Sequence, residues 1–453
     1  MLLNPTLPVR EYPGRTFGCT CGREHSTRLR EMIIEAGALS KVPALLGRLG
    51  FARPLVVFDR HTRKAAGDRL MAILKEAGVP FDFFCYPDEE PLADEKGLGA
   101  LLMALTPEND SLLAVGSGTI NDLCKYTGYM THRPYAVVGT APSMDGFTSG
   151  VCAMTRGDMK TTLQGTMPLA VVGDVDVLRL APMDMIQAGV GDILGKYTCL
   201  LDWKLSHIIN GEYYCPAIAQ MMRRAVDTVA ANAAGVAARD PAAVTAVMEA
   251  LVLSGIAMSY SVNSRPASGC EHHISHFLEM RFLFDGRRPV LHGRKVGVAT
   301  VLAAHCYHRL AAQQPDFDGA AANVVSFDFD KWAADIRKAY TRAADGVIAL
   351  EQSAHKNDPE RIRARLASMK AHWPEIREAI DELPSAGAVE RMLRDSGAPA
   401  YPAEIGVEVP LLREAVCRCK EVRDRYTLWQ MLYDLGLLDS YAAEAAQRYG
   451  KTE

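Results

Sequence analysis

The strongest constraint on the fold is an alternation that stops partway along the chain. Apolar runs of strand length recur at residues 54–59, 81–86, 111–115, 135–138 and 168–174, and stretches of helical periodicity lie between them, clearest at 63–77 and 98–105. Repeated strand–helix–strand units on short links predict a parallel sheet covered by helices on both faces. After about residue 180 the strand signal ends, and helical periodicity takes over in long Ala-, Leu- and Met-rich segments such as 217–238 and 241–258. The expectation is an α/β N-terminal nucleotide-binding domain with a parallel sheet over 1–180. An all-helical C-terminal domain follows over 181–453, with the boundary near Ala181-Pro182.

A chain of 453 residues, 49% hydrophobic, has ample material for a large core. Its net charge of −4, with Lys and Arg scattered, argues against nucleic acid or an anionic membrane as partner. The 11 cysteines are odd in number and follow no framework, and the first residues lack a basic region followed by an apolar core. Reduced thiols in a cytoplasmic protein are expected. The apolar stretches 244–262 and 296–312 are broken by Glu249, Ser254 and Ser259, or by His305 and His308, which predicts buried helices and no membrane span. The charged run 356–365 reads as a solvated loop and helix start.

Two loops carry a nucleotide signal. Gly116-Ser117-Gly118-Thr119-Ile120-Asn121-Asp122 follows a predicted strand and opens a predicted helix. Glycines there let the backbone approach a pyrophosphate, and the helix terminus supplies amides and positive dipole. Thr140-Ala141-Pro142-Ser143-Met144-Asp145-Gly146 is a second such loop, rich in small hydroxyl residues. With Asp59 at the end of another strand, these loops would line a crevice where dinucleotides bind. Asp59 reads either as an acceptor for ribose hydroxyls or as a helix cap, and Asp145 either as a substrate contact or as a turn former.

A metal signal lies further on, in Glu271-His272-His273-Ile274-Ser275-His276 and Leu291-His292-Gly293. His272 and His276 are four apart, so a helix places both imidazoles on one face. With Asp192, in Gly189-Val190-Gly191-Asp192, this is a donor set suited to a divalent transition metal. Cys19, Cys21 and His25 give three candidate zinc ligands without a fourth. Arg156, Lys160 and Lys196 are the cations nearest the motifs, and none stands out as a phosphate binder.

Taken in order, these motifs resemble the glycerol-1-phosphate dehydrogenase family. The match runs through Gly-Val-Gly-Asp-Ile-Leu-Gly-Lys-Tyr-Thr, Ser-Gly-Cys-Glu-His-His-Ile-Ser-His and Leu-His-Gly, and extends from Cys19 to Asp434-Leu-Gly-Leu-Leu. The nearest branch is the bacterial AraM-like one, within the iron-type alcohol dehydrogenase and dehydroquinate synthase superfamily. The resemblance implies a dehydroquinate synthase-like fold whose all-helical part binds the metal. It implies metal ligation by Asp192, His272 and His292, with zinc, nickel or iron as the ion. Dinucleotide contacts, to NAD or NADP, would come from Gly116, Ser117, Gly118, Thr119, Ile120, Thr140, Ala141, Pro142, Ser143 and Ser149. Asp145 and His276 would face the substrate, with Asp192 near it. His272 is favoured over His273 because in the related motif the ligand directly follows the Glu, four residues before the second His. Arg294 departs from the acidic residue common across the superfamily.

The implied reaction is reversible reduction of dihydroxyacetone phosphate to sn-glycerol 1-phosphate by a homodimer or higher homo-oligomer. Competing readings are a polyol or other alcohol dehydrogenase, a dehydroquinate-synthase-like cyclase, and a non-catalytic nucleotide-binding regulator.

Overall fold

Six short apolar runs pair into one parallel sheet in the computed structural model, which describes residues 1–88, 90–157 and 159–450. The strands are β1 (Glu31–Glu35), β2 (Pro54–Phe58), β3 (Asp82–Cys85), β4 (Ser111–Gly116), β5 (Tyr135–Gly139) and β6 (Ala170–Asp174). Their order across the sheet is β1–β6–β5–β4–β2–β3, and every neighbouring pair is parallel. The four inner strands are buried at every position, which is why they read as unbroken apolar runs. The edges β1 and β3 are only partly covered. Two antiparallel hairpins, Thr16–Gly18 with Glu24–Ser26 and Val151–Arg156 with Met159–Gln164, stand apart from this sheet.

The connectivity locates a crevice. From β2 the chain moves outward to β3, returns to the other side of β2 for β4, and continues away through β5 and β6. The reversal falls between β2 and β4, so the carboxyl ends of those strands part there, at Asp59 and at Gly116-Ser117.

The change to helix occurs as expected after the last sheet strand. The chain forms two compact units, residues 1–193 with 216–264, and residues 194–215 with 265–453. These units do not follow a single cut near residue 181, because part of the helical stretch covers the sheet. The Pro241–Ser261 helix packs on β1, on the Glu24–Ser26 strand and on the 3-10 turn Asp145–Thr148. Gly255 permits that approach, since a Cβ there would overlap the Thr148 hydroxyl. Among the described residues this is the one helix long and apolar enough to cross a membrane, and 67% of its apolar window is buried.

The second unit is entirely helical among its described residues. Its Lys196–Asn210 helix packs against the Cys270–Phe284, His292–Ala311, Pro359–Ala371 and Trp373–Asp381 helices. The charged run 356–365 departs from expectation. Lys356, Asn357 and Arg365 are buried. Lys356 Nζ lies 2.9 Å from Glu421 Oε2, and Arg365 Nε lies 2.6 Å from Asp434 Oδ2. Partners about 65–70 residues away turn an apparently solvated run into part of the interior. None of the 11 cysteines forms a disulfide.

Candidate functional site

Gly116 ends β4, and Ser117 is the N-cap of the Gly118–Thr131 helix. A Cβ at Gly116 would meet the Ile120 side chain at 2.7 Å, so the turn requires glycine. The Ser117 side chain does not cap the helix. Its hydroxyl bonds instead to that of Ser143, joining the two nucleotide-type loops, while Thr140 N donates to Gly116 O at 3.1 Å. A first helical turn without a side-chain cap keeps its amides for an anion. Gly118 and Thr119 are half-buried; Ile120, Thr140, Ala141, Pro142 and Ser143 are buried. Asp59 is a helix cap here: its Oδ1 accepts from Thr62 N at 2.8 Å, and Thr62 Oγ1 accepts from Asp59 N at 3.0 Å.

Lys125, on the Gly118–Thr131 helix and fully buried, locks the second loop. It donates to Gly146 O at 2.7 Å, Val151 O at 3.0 Å and Ser149 Oγ at 3.1 Å. Ser149 therefore spends its hydroxyl on internal bonds. Asp145 opens the 3-10 turn and is also held by its side chain, with Oδ2 accepting from Ser254 Oγ at 2.8 Å. Its own N–H donates to Asp192 Oδ2 at 3.0 Å. Asp192 is fully buried near the end of the Met183–Leu194 helix. Gly189, nearly one turn earlier, lets that helix lie against the second loop, because a Cβ there would overlap the Pro142 carbonyl oxygen.

In the second unit, the Cys270–Phe284 and His292–Ala311 helices bring three imidazoles together. Ring centroids are 5.1 Å apart for His272 and His292, 5.6 Å for His276 and His292, and 6.0 Å for His272 and His276. The link between the helices explains how. A turn at Asp285-Gly286 folds the chain back, so that the second helix packs against the first.

Glu271 orients the cluster. Fully buried, it accepts from His272 Nδ1 at 2.6 Å, Gly269 N at 2.7 Å and Thr198 Oγ1 at 2.6 Å. Burial alone would raise its pKa, yet His272 and the other donors together hold the carboxyl below its ordinary value. Donation from Nδ1 places the His272 lone pair on Nε2, the arrangement a carboxylate imposes on a metal-ligating histidine. His292 Nδ1 lies 3.5 Å from Ser275 Oγ. Burial, the Arg423 charge and the neighbouring imidazoles push His276 well below the usual histidine range, so its ring is neutral at pH 7. His273 is fully buried, and neither ring nitrogen has a hydrogen-bond partner.

Sequence reasoning missed Lys125, Ser254, Arg423 and the orienting role of Glu271. Only Glu271 carried a signal, its place directly before His272. Of the other cations considered, Arg156 is exposed, and Lys196 is buried with Nζ 2.9 Å from Ala267 O. The Lys160 side chain lies outside the described residues. In the first unit Cys21 Sγ lies 3.4 Å from His25 Nε2, whose Nδ1 is 2.9 Å from Tyr260 O.

The family described as iron-containing alcohol dehydrogenase matches residues 33–182. A glycerol-1-phosphate dehydrogenase (NAD(P)+) of Halalkalibacterium halodurans is 34% identical, over 90% of this chain and 94% of the relative. One from Bacillus licheniformis is 32% identical over 94% of this chain and 95% of its own. The solved iron-containing alcohol dehydrogenase of Corynebacterium glutamicum shares the fold, with a TM-score of 0.59 at 17% identity over 94% of this chain and 97% of that one.

Proposed function

The chain belongs to the glycerol-1-phosphate dehydrogenase family, and from that premise we propose that it reversibly reduces dihydroxyacetone phosphate to sn-glycerol 1-phosphate. The cofactors are NADH or NADPH and one divalent metal ion. Asp192, His272 and His292 are the proposed ligands, of zinc, nickel or iron. The donor set fits such an ion: two imidazoles and a carboxylate, with His272 already oriented by Glu271. In this reading residues 1–180 serve chiefly the dinucleotide and residues 181–453 the metal and substrate.

When bound, the metal supplies Lewis acidity toward the carbonyl and the nucleotide supplies hydride. The chain's own groups do the rest. The uncapped turn at Gly118 and the hydroxyls of Ser117, Thr140 and Ser143 receive the dinucleotide phosphates, with Ala141, Pro142 and Ile120 as apolar floor. Asp59 takes the adenosine ribose through the carboxylate oxygen not engaged by Thr62 N. Asp145, steadied by Ser254 and Asp192, orients the substrate hydroxyl. His276, a neutral imidazole, relays the proton that completes reduction. The enzyme works in the cytoplasm as a homodimer or higher homo-oligomer.

Membership of the family is what most supports this reading, with the Glu271-anchored histidine cluster beside it. The test is NADH and NADPH oxidation with dihydroxyacetone phosphate, run with zinc, nickel, iron or no added metal. Cofactor binding without oxidation under every condition would overturn it.

A further inference from the structure

Several acids of the second unit hold cations, whereas the half-buried Arg423 has no acid beside it among the described residues. Glu421 pairs with Lys356 at 2.9 Å and with Lys420 at 2.5 Å. Asp434 takes Arg365 at 2.6 Å, and Glu212 takes Arg265 at 2.7 Å. Arg423 is left over. Among the described residues its guanidinium makes no hydrogen bond or ion pair, and its Nε is enclosed without a partner. Burial draws its pKa down, with no carboxylate to offset the loss of water. A partly enclosed guanidinium without a carboxylate loses hydration that a bound anion can replace.

Its position says which anion. The 3-10 turn Cys419–Glu421, two residues before Arg423, packs on the Cys270–Phe284 helix that carries His276, and Arg423 lies near enough to act on that imidazole. Arg425 adds a second positive charge, with Nη1 3.3 Å from Ser268 O. The other buried amines are already committed to carbonyl oxygens, Lys196 to Ala267 and Lys295 to Val290. A guanidinium offers five N–H donors in a fixed fork that matches a phosphate.

We propose that Arg423 binds the phosphate of the substrate, with Arg425 reinforcing it, so that the carbonyl end of the three-carbon chain is presented toward His276. The proposal rests on the phosphorylated-substrate reading above. It makes Arg423 a specificity residue: it distinguishes dihydroxyacetone phosphate from dihydroxyacetone.

The test is steady-state kinetics of wild type, R423Q and R423K on both substrates, with inorganic phosphate as inhibitor and metal content measured alongside. R423Q is expected to raise KM for dihydroxyacetone phosphate about 10- to 100-fold and to weaken inhibition by phosphate, as loss of hydrogen bonds to a charged group implies. KM for dihydroxyacetone and metal content stay as in wild type. R423K keeps the charge without the fork and recovers part of the loss. An R423Q enzyme whose KM for dihydroxyacetone phosphate stays within about twofold of wild type would overturn the assignment. If R423Q does not fold, an unchanged KM in R423K does the same. A wild-type enzyme that reduces dihydroxyacetone as readily as its phosphate overturns the reading on which the proposal rests, whatever the variants do.

Discussion

Replacing Glu271 by Gln isolates what its charge contributes. The carboxylate meets four donors: His272 Nδ1 at 2.6 Å and Gly269 N at 2.7 Å on Oε1, and Thr198 Oγ1 at 2.6 Å and, weakly, Cys270 Sγ at 3.8 Å on Oε2. A Gln side chain can keep its carbonyl on the two fixed N–H groups and turn its amide toward Thr198, whose hydroxyl can rotate to accept. E271Q should therefore fold, and what it loses is charge assistance on the His272 bond. A charged acceptor is worth about 1.5–3 kcal/mol against about 1 for a neutral one. The loss of roughly 1–1.5 kcal/mol weakens metal affinity about tenfold, the low end for carboxylates that orient a metal-bound imidazole. E271A goes further, leaving two buried N–H groups without an acceptor, and should cost about 2–4 kcal/mol of stability as well. Zinc affinity would be measured on apo protein against a chromophoric chelator, and folding by urea titration. An E271Q protein that binds zinc as tightly as wild type would refute the claim that this pair tunes the metal site. An E271Q protein that fails to fold would refute the hydrogen-bond reasoning.

Other outcomes follow from the same geometry. H272A and H292A should lose bound metal and turnover together while remaining folded, so full metal occupancy in either would remove that residue from the ligand set. H276A should keep its metal and lose about 100-fold in turnover, as expected for a proton-transfer group; unchanged turnover excludes it. G189A forces a Cβ against the Pro142 carbonyl oxygen, and should lower stability by about 1–3 kcal/mol in urea titrations. Glu421 supplies a pH dependence. Burial would raise its pKa, but Lys420 and Lys356 outweigh that and hold it at about 2, below an unfolded value of about 4.3. A depressed acid stabilises the fold above its unfolded pKa, and this contribution fades as pH falls toward 2. The stability difference between wild type and E421Q should narrow across that window; a gap independent of pH would contradict the pairing.

What the sequence disclosed tracks how local each signal is. The inner strands β2, β4, β5 and β6 were readable because burial on both faces leaves unbroken apolar runs. β1 escaped because Glu31 and Glu35 bracket only three apolar residues. The Val151–Arg156 strand alternates buried and exposed positions with a polar end, and did not register beside the apolar runs. The glycine turn and the histidine spacing were legible because neighbouring residues carry them. Lys125 and Arg423 were not, since the meaning of a cation depends on which carbonyls and carboxylates the fold brings to it. Asp59 was undecided between ribose acceptor and cap, and its bond to Thr62 N shows the capping role, which leaves the other oxygen for a ligand.

The chain passes from one compact unit to the other at 193/194, 215/216 and 264/265. This imposes an order on synthesis. The first unit cannot close until residue 264 has left the ribosome, because the Pro241–Ser261 helix covers part of its sheet. Residues 194–215, made in between, must wait for their packing partners in 265–453. A nascent chain that has emerged only to about residue 180 therefore holds a complete sheet with part of an apolar face uncovered, the stage at which capture by a chaperone or loss to aggregation is decided.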